Sequence, residues 1–263
     1  MENLKLNLTL VKGPIHSLEK AKSKIPTNQN IGGIAAGTAF AGVLAESSSL
    51  LTSAPILVMA AKAKEGITFI GEIDKYPLVG QFTTARFEEN DELIAVISEK
   101  PVNERHQVYA ILDPKSGLLY MIYEMGRSVK KGYKAIFMQT YYFTLICWGG
   151  LSIILLVLYI FDANYSWASF FELISWIFIF LILAFLFMGF INYFAYRKSY
   201  ENFGNLSEQI FEKIGFEYPK EQDFYNDYLI NDGINISVME YRKNLKGPDP
   251  YPEDYFSKNT TSE

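Results

Sequence analysis

Cysteine and histidine are nearly absent: Cys147 is the single cysteine, and His16 and His106 are the two histidines. One cysteine excludes an intrachain disulfide and a cysteine-cluster metal site, and two histidines far apart leave no histidine-based metal motif. The chain also lacks a P-loop, a G-x-S-x-G elbow, an H-E-x-x-H pair and any paired-cysteine motif. Catalytic, cofactor-binding and metal-ligating residues are therefore all left unassigned, and enzymatic activity is not expected. An excess of basic charge is missing too. With a net charge of -5 and a pI near 5.3, nothing points to nucleic acid as a partner.

Charge itself is absent from two long runs. Ala135 to Phe161 (AIFMQTYYFTLICWGGLSIILLVLYIF) and Leu173 to Tyr196 (LISWIFIFLILAFLFMGFINYFAY) contain no Asp, Glu, Lys or Arg. As a helix the first would be about 40 Å long, and roughly 20 residues already cross a hydrocarbon core. Two such runs joined by the short link DANYSWASFFE read as a transmembrane helical hairpin, against the alternative of two buried helices in a large soluble domain. Tyr133, Tyr159, Tyr165, Trp167, Tyr193 and Tyr196 lie near the run ends, where amphipathic rings favour the headgroup layer.

The basic residues set the expected orientation. Arg127, Lys130, Lys131 and Lys134 precede the first span, Arg197 and Lys198 follow the second, and the link carries only Asp162 and Glu172. Positive flanks stay in the cytoplasm, so both termini are expected there, in a two-pass membrane protein with the link outside. The start, MENLKLNLTL, has no apolar signal-peptide core, so the first span is expected to direct insertion.

Before the spans the pattern alternates, in GITFIGEI, YPLVGQF, ELIAVISE, HQVYAILD and GLLYMIYE, which predicts a small antiparallel β-domain. Asp74-Lys75-Tyr76-Pro77 and Asp113 to Gly117 read as hairpin turns. Leu4 to Gly13 alternates as well and is expected to supply another strand of a five- or six-stranded barrel or half-barrel of OB or SH3-like type. Between this strand and the rest lies a Gly/Ala-rich stretch in which Gly33, Gly37 and Ala41 recur every four residues. It reads as a linker or helical pair packed on the barrel, as a re-entrant membrane hairpin with Glu46 at its tip, or as a low-complexity loop.

After the spans, SYENFGNLSEQIFEKIGFEY is amphipathic, with Leu206, Ile210 and Ile214 at helical spacing. The alternating INISVMEY follows, and GPDPYPEDYFSKNTTSE is expected to be a disordered tail. The fold expected is thus an α+β membrane protein: residues 1–30 a first strand and polar connection, 31–65 the Gly/Ala-rich insertion, 66–134 the β-domain, 135–198 the hairpin, and 199–263 a cytoplasmic helix and tail. Two polar features remain. Glu88, Glu89, Asp91 and Glu92 form an acidic turn that is either a solvated loop or able to hold a cation or supply a carboxylate pair. Asn192, with Thr140 and Thr144 in the other span, can form interhelical hydrogen bonds or line a pore.

This order of parts, with LVGQFTTARFEENDELIAVI and VYAILDPKSGLLYMIYEMGR between the insertion and the hairpin, resembles bacterial membrane proteins labelled type VI secretion system effectors. The resemblance covers roughly residues 4 to 200, most clearly Gly80, Phe87, Asp91, Tyr109 to Pro114 and Gly126-Arg127; Asn90-Asp91-Glu92 departs from its pattern, which has a Gly beside the acidic turn residue. It implies an effector of interbacterial competition, secreted into target cells and acting on the inner membrane by permeabilising it. Its partners would be the lipid bilayer and a secretion chaperone, spike or adaptor protein. The residues alone favour a resident protein, either an immunity or accessory protein whose cytoplasmic β-domain binds a partner such as a cognate toxin or, as a third reading, a housekeeping membrane adaptor.

Overall fold

The computed structural model describes residues 6–25, 64–122, 125–160, 166–225 and 238–260. The strands are β1 (Leu8–Ile25), β2 (Lys64–Ile73), β3 (Tyr76–Phe82), β4 (Glu92–Ser98), β5 (His106–Asp113), β6 (Leu118–Met121) and β7 (Val238–Glu240). The helices are α1 (Val129–Ile160), α2 (Trp167–Ile214), α3 (Tyr241–Asn244) and α4 (Tyr255–Thr260). They form two compact units, one from Met1–Val129 with Asn202–Glu263 and one from Lys130–Glu201. Residues 31–63 of the Gly/Ala-rich stretch, with its three readings, lie outside the described residues; Lys64 and Glu65, placed at its end by the sequence, begin β2.

The first unit is a five-stranded barrel with additions. β1 pairs antiparallel with β4 through Leu8–Pro14, then with β2 through Ile15–Ile25. A bulge between His16 and Glu19 interrupts the β1–β2 pairing soon after it begins, with Ser17 at φ 52. β2 and β3 form a hairpin, β4 pairs antiparallel with β5, and β5 pairs parallel with β3 at Leu78↔His106 and Val79↔Gln107. The ring β1-β2-β3-β5-β4 therefore closes, with the Greek-key connectivity of an OB-type barrel. That parallel closure departs from the purely antiparallel domain expected. It pairs the outer edge of β3, which would otherwise be left open at the end of the sheet.

Both expected turns are present, the first narrowed to Asp74-Lys75 because Tyr76 and Pro77 already pair in β3. Asp74 takes φ 56 in the two-residue β2–β3 turn. Gly117 takes φ 69 at the end of the β5–β6 turn, where the Asp113 carboxylate accepts from the Lys115 and Ser116 amides. Inside the barrel Phe69, Phe82, Phe87 and Tyr120 form a ring cluster with centroids 5.2–6.1 Å apart. Phe87 meets Phe69 and Tyr120 edge to face, a geometry the ring quadrupoles favour, while Phe82 lies tilted against the same two rings. Gly80 lies directly under this cluster: a Cβ there would come 2.3 Å from the Phe69 ring.

Three expectations need correction. The first strand is not Leu4–Gly13 followed by a polar connection; it continues to Ile25. Its second half is polar because most of its side chains face solvent. Nor does the second apolar helix stop near residue 198. α2 runs 48 residues to Ile214, where Gly215 (φ 96) ends it in a Schellman motif, Phe216 N donating to Phe211 O and Gly215 N to Glu212 O. Its amphipathic end buries Leu206, Ile210, Phe211 and Ile214 in the same core as the barrel strands.

The third correction concerns the tail, which is ordered from Val238 to Thr260. β7 extends the sheet beside β6. Tyr251 is buried, the Tyr241 hydroxyl donates to Tyr251 O at 3.0 Å, and Arg242 pairs with Asp249 at 2.9 Å. Lys12 of β1 sits over the rings of both Tyr251 and Tyr255, a cation–π contact that ties the end of the chain to its beginning.

Candidate functional site

The second unit is the helical hairpin. Val129–Val157 and Ala168–Arg197 are long and apolar enough to cross a membrane, with mean hydropathies of 1.8 and 2.8. Their large side chains point outward: Ile146 is 75 % exposed, Phe187 64 % and Phe178 60 %. Against water each such side chain forfeits roughly 1.5–3 kcal/mol of burial, and a continuous exposed apolar surface of this kind marks a partner or a membrane.

Between the helices, contact is aromatic and sparingly polar. Phe137 meets Phe185 edge to face at 5.6 Å, and Trp148 Nε1 donates to Ile177 O at 3.3 Å. Asn192 Nδ2 donates to Thr140 Oγ1 at 2.9 Å. Of the three expected polar residues, these two are brought together. Thr144 is not part of the bond: its hydroxyl is buried without a partner. It lines a groove of about 320 Å³ whose other walls, including Phe137, Tyr141, Leu145, Leu181 and Phe185, are apolar or aromatic. Ser152 and Ser175 donate to carbonyls one turn back in their own helices, Trp148 O and Phe171 O, leaving those hydroxyls satisfied without a neighbour.

One end of the hairpin carries a cluster that sequence inspection missed. The Tyr133 hydroxyl donates to Glu201 Oε1 at 2.7 Å, and Arg197 Nε donates to the same oxygen at 2.9 Å. These two donors hold the Glu201 carboxyl below its usual range. Arg197 lies 5.5 Å over the Tyr193 ring, which stacks on Tyr133 at 5.9 Å. Gly132 permits the approach, since a Cβ there would come 2.7 Å from Tyr200. The available signal was a carboxylate four residues after an arginine, a spacing that pairs side chains on one helical face.

On the barrel unit the acidic turn is structural. Glu89 accepts from the Ser17 and Leu18 amides at 2.8 and 2.7 Å, satisfying the β1 bulge, and Asp91 accepts from the Glu88 amide. Lys20 donates to Ala85 O and Phe87 O; its burial pulls the ammonium pKa below the usual value, partly offset by Glu88 and Asp91. A cleft of about 860 Å³ lies beside the end of α2, lined by Glu208, Glu212, Glu217, Glu221 and Lys220 among others. Among the described residues, no group of three or more His, Cys, Asp or Glu side chains is placed to hold a metal ion.

No protein-family model, curated protein or solved structure matches this chain. The residues that carry the resemblance have structural duties here. Gly80 clears the Phe69 ring and Phe87 fills the core. Gly126 (φ 118) donates to Ser207 Oγ at 3.2 Å, and Arg127 pairs with Asp223 at 2.9 Å.

Proposed function

We propose that this chain is a two-pass inner-membrane protein, with both termini and its OB-type unit on the cytoplasmic side. The observation that carries this reading is the outward apolar surface of two helices of spanning length. Basic residues flank the hairpin on the side of both termini, and the positive-inside rule puts that side in the cytoplasm. Reporter fusions at Ser166 and at Glu263 test it: an external signal at Ser166 and an internal one at Glu263 are expected, and the reverse pattern defeats the orientation.

Within that frame, the resemblance supports a role in type VI secretion, as an effector that inserts into the inner membrane of a target cell and permeabilises it. A specific observation favours a second reading, a resident immunity or accessory protein. Asn192 and Thr140 bond each other, and the serine hydroxyls turn back to their own helices, so this polar set serves packing and not a conducting path. A hairpin built this way anchors a folded domain, and permeabilisation would need several copies. Expression with inserted spans in a cell lacking any secretion system separates the two. Growth arrest with dye leakage supports the effector; harmless insertion leaves the anchored binding module.

A further inference from the structure

We infer that the hairpin carries a binding site for one anionic phospholipid, its headgroup held by Lys130, Lys134 and Arg197 and one acyl chain lying in the groove below them. The inference rests on the membrane reading above. Lys130, Lys134, Phe137, Tyr141 and Leu145 follow one another at spacings of four, three, four and four residues along α1, which places them in one stripe on the helix. The stripe changes character once. Lys130 and Lys134 are exposed, and from Phe137 onward its residues line the 320 Å³ groove closed on the other side by Leu181 and Phe185 of α2.

The basic end is built as well as charged. Tyr133, between the two lysines in sequence, reaches Glu201, and that carboxylate together with the Tyr193 ring fixes the Arg197 guanidinium. Close packing at Gly132 brings α1 and α2 together there, so charges from both helices converge at the depth where lipid phosphates lie. The groove spans the nine residues from Phe137 to Leu145, about 12 Å of helix, enough for much of one acyl chain. An anionic head above an apolar tail is the chemistry that matches a basic cluster continuous with an apolar groove.

The test uses the full-length protein in nanodiscs of phosphatidylglycerol mixed with phosphatidylcholine, followed by detergent stripping and native mass spectrometry. One retained phosphatidylglycerol per chain is expected, with phosphatidylcholine lost. The double variant K130Q/K134Q should weaken retention about twenty-five-fold, because each lysine near an anionic headgroup contributes roughly a factor of five. Leu181→Trp fills the groove without altering charge and should also release the lipid. Equal retention of both lipids, no change in the lysine variant, or full retention in Leu181→Trp would each overturn the site. Resistance to alkaline carbonate extraction is scored separately: a chain that washes off membranes defeats the membrane reading itself, whereas one that stays inserted without lipid preference defeats only this inference.

Discussion

Gly80 shows how one atom decides the barrel. Between Val79 and Gln81 on β3 it has no side chain, and the Phe69 ring occupies that space. Gly80→Ala should destabilise the barrel unit by about 1–3 kcal/mol through overpacking, read as a lower urea midpoint with unchanged m-value. Buried tyrosines make the same core sensitive to alkali. Desolvation pushes the Tyr109 phenol up to about 12 and raises Tyr120 and Tyr241 as well. In the unfolded chain these groups ionise near pH 10, so above that pH the unfolded state loses protons that the folded state keeps. Stability is full below about pH 10 and falls as pH rises toward 12, by up to about 1.4 kcal/mol per unit for each tyrosine. Tyrosinate absorbance should appear together with unfolding, and Tyr109→Phe should make the loss shallower. In the hairpin, Asn192→Ala removes the bond to Thr140 and should cost about 0.6–2 kcal/mol of helix association, measured by denaturation in mixed micelles.

At the scale of elements, what could be read in advance followed local chemistry. The β2–β3 and β5–β6 turns carried Asp, Pro and Gly at positions that fix their φ angles, and both apolar helices exceeded any core helix in length. The second half of β1 was illegible because HSLEKAKSKI shows little apolar alternation; its strand character comes from pairing with β2 and from Glu89 satisfying the bulge. α2 read as ending at Arg197 because charge resumes there. Charge marks where solvent or headgroups begin, whereas the helix ends at Gly215. In the candidate site, the Asn192–Thr140 bond was visible as polar residues at matching depths, while Glu201 was hidden among the charges that follow the span. The tail was unreadable for another reason: Lys12 and Tyr255 are 243 residues apart, and no local pattern announces such a contact. Truncation after Leu245 would remove Asp249 and Tyr251, leaving Arg242 and the Tyr241 hydroxyl without those acceptors. A loss of about 3 kcal/mol is expected from the missing aromatic burial alone, with faster proteolysis of β7. An unchanged unfolding midpoint would mean that the tail contacts contribute nothing.

At the scale of the whole molecule, the barrel unit is assembled from both ends of the chain with the hairpin inserted between them. Val129 and Gly204 are neighbours in space: a Cβ on Gly204 would come 2.7 Å from Val129 N, and that amide donates to Glu208 Oε1 at 2.9 Å. Residues 130–201 can therefore be replaced by a short Gly/Ser linker from 129 to 202, and the loop-closure cost of so short a connection is small. The resulting protein should be soluble, rich in β-structure and cooperative in unfolding, because Leu206, Ile210, Phe211 and Ile214 still reach the core. Residues 1–129 alone should fail the same test. Without the end of α2 and β7 they expose the apolar surface those elements cover, and they leave Gly126 N and Arg127 without Ser207 and Asp223. The comparison is decisive because both proteins lack the hairpin and differ only in residues 202–263. If the shorter one folds as stably as the linked one, the carboxyl-terminal elements are accessories to an autonomous barrel. If the linked one aggregates while the full-length chain is well behaved in micelles, the hairpin is part of the fold and not an anchor inserted into it.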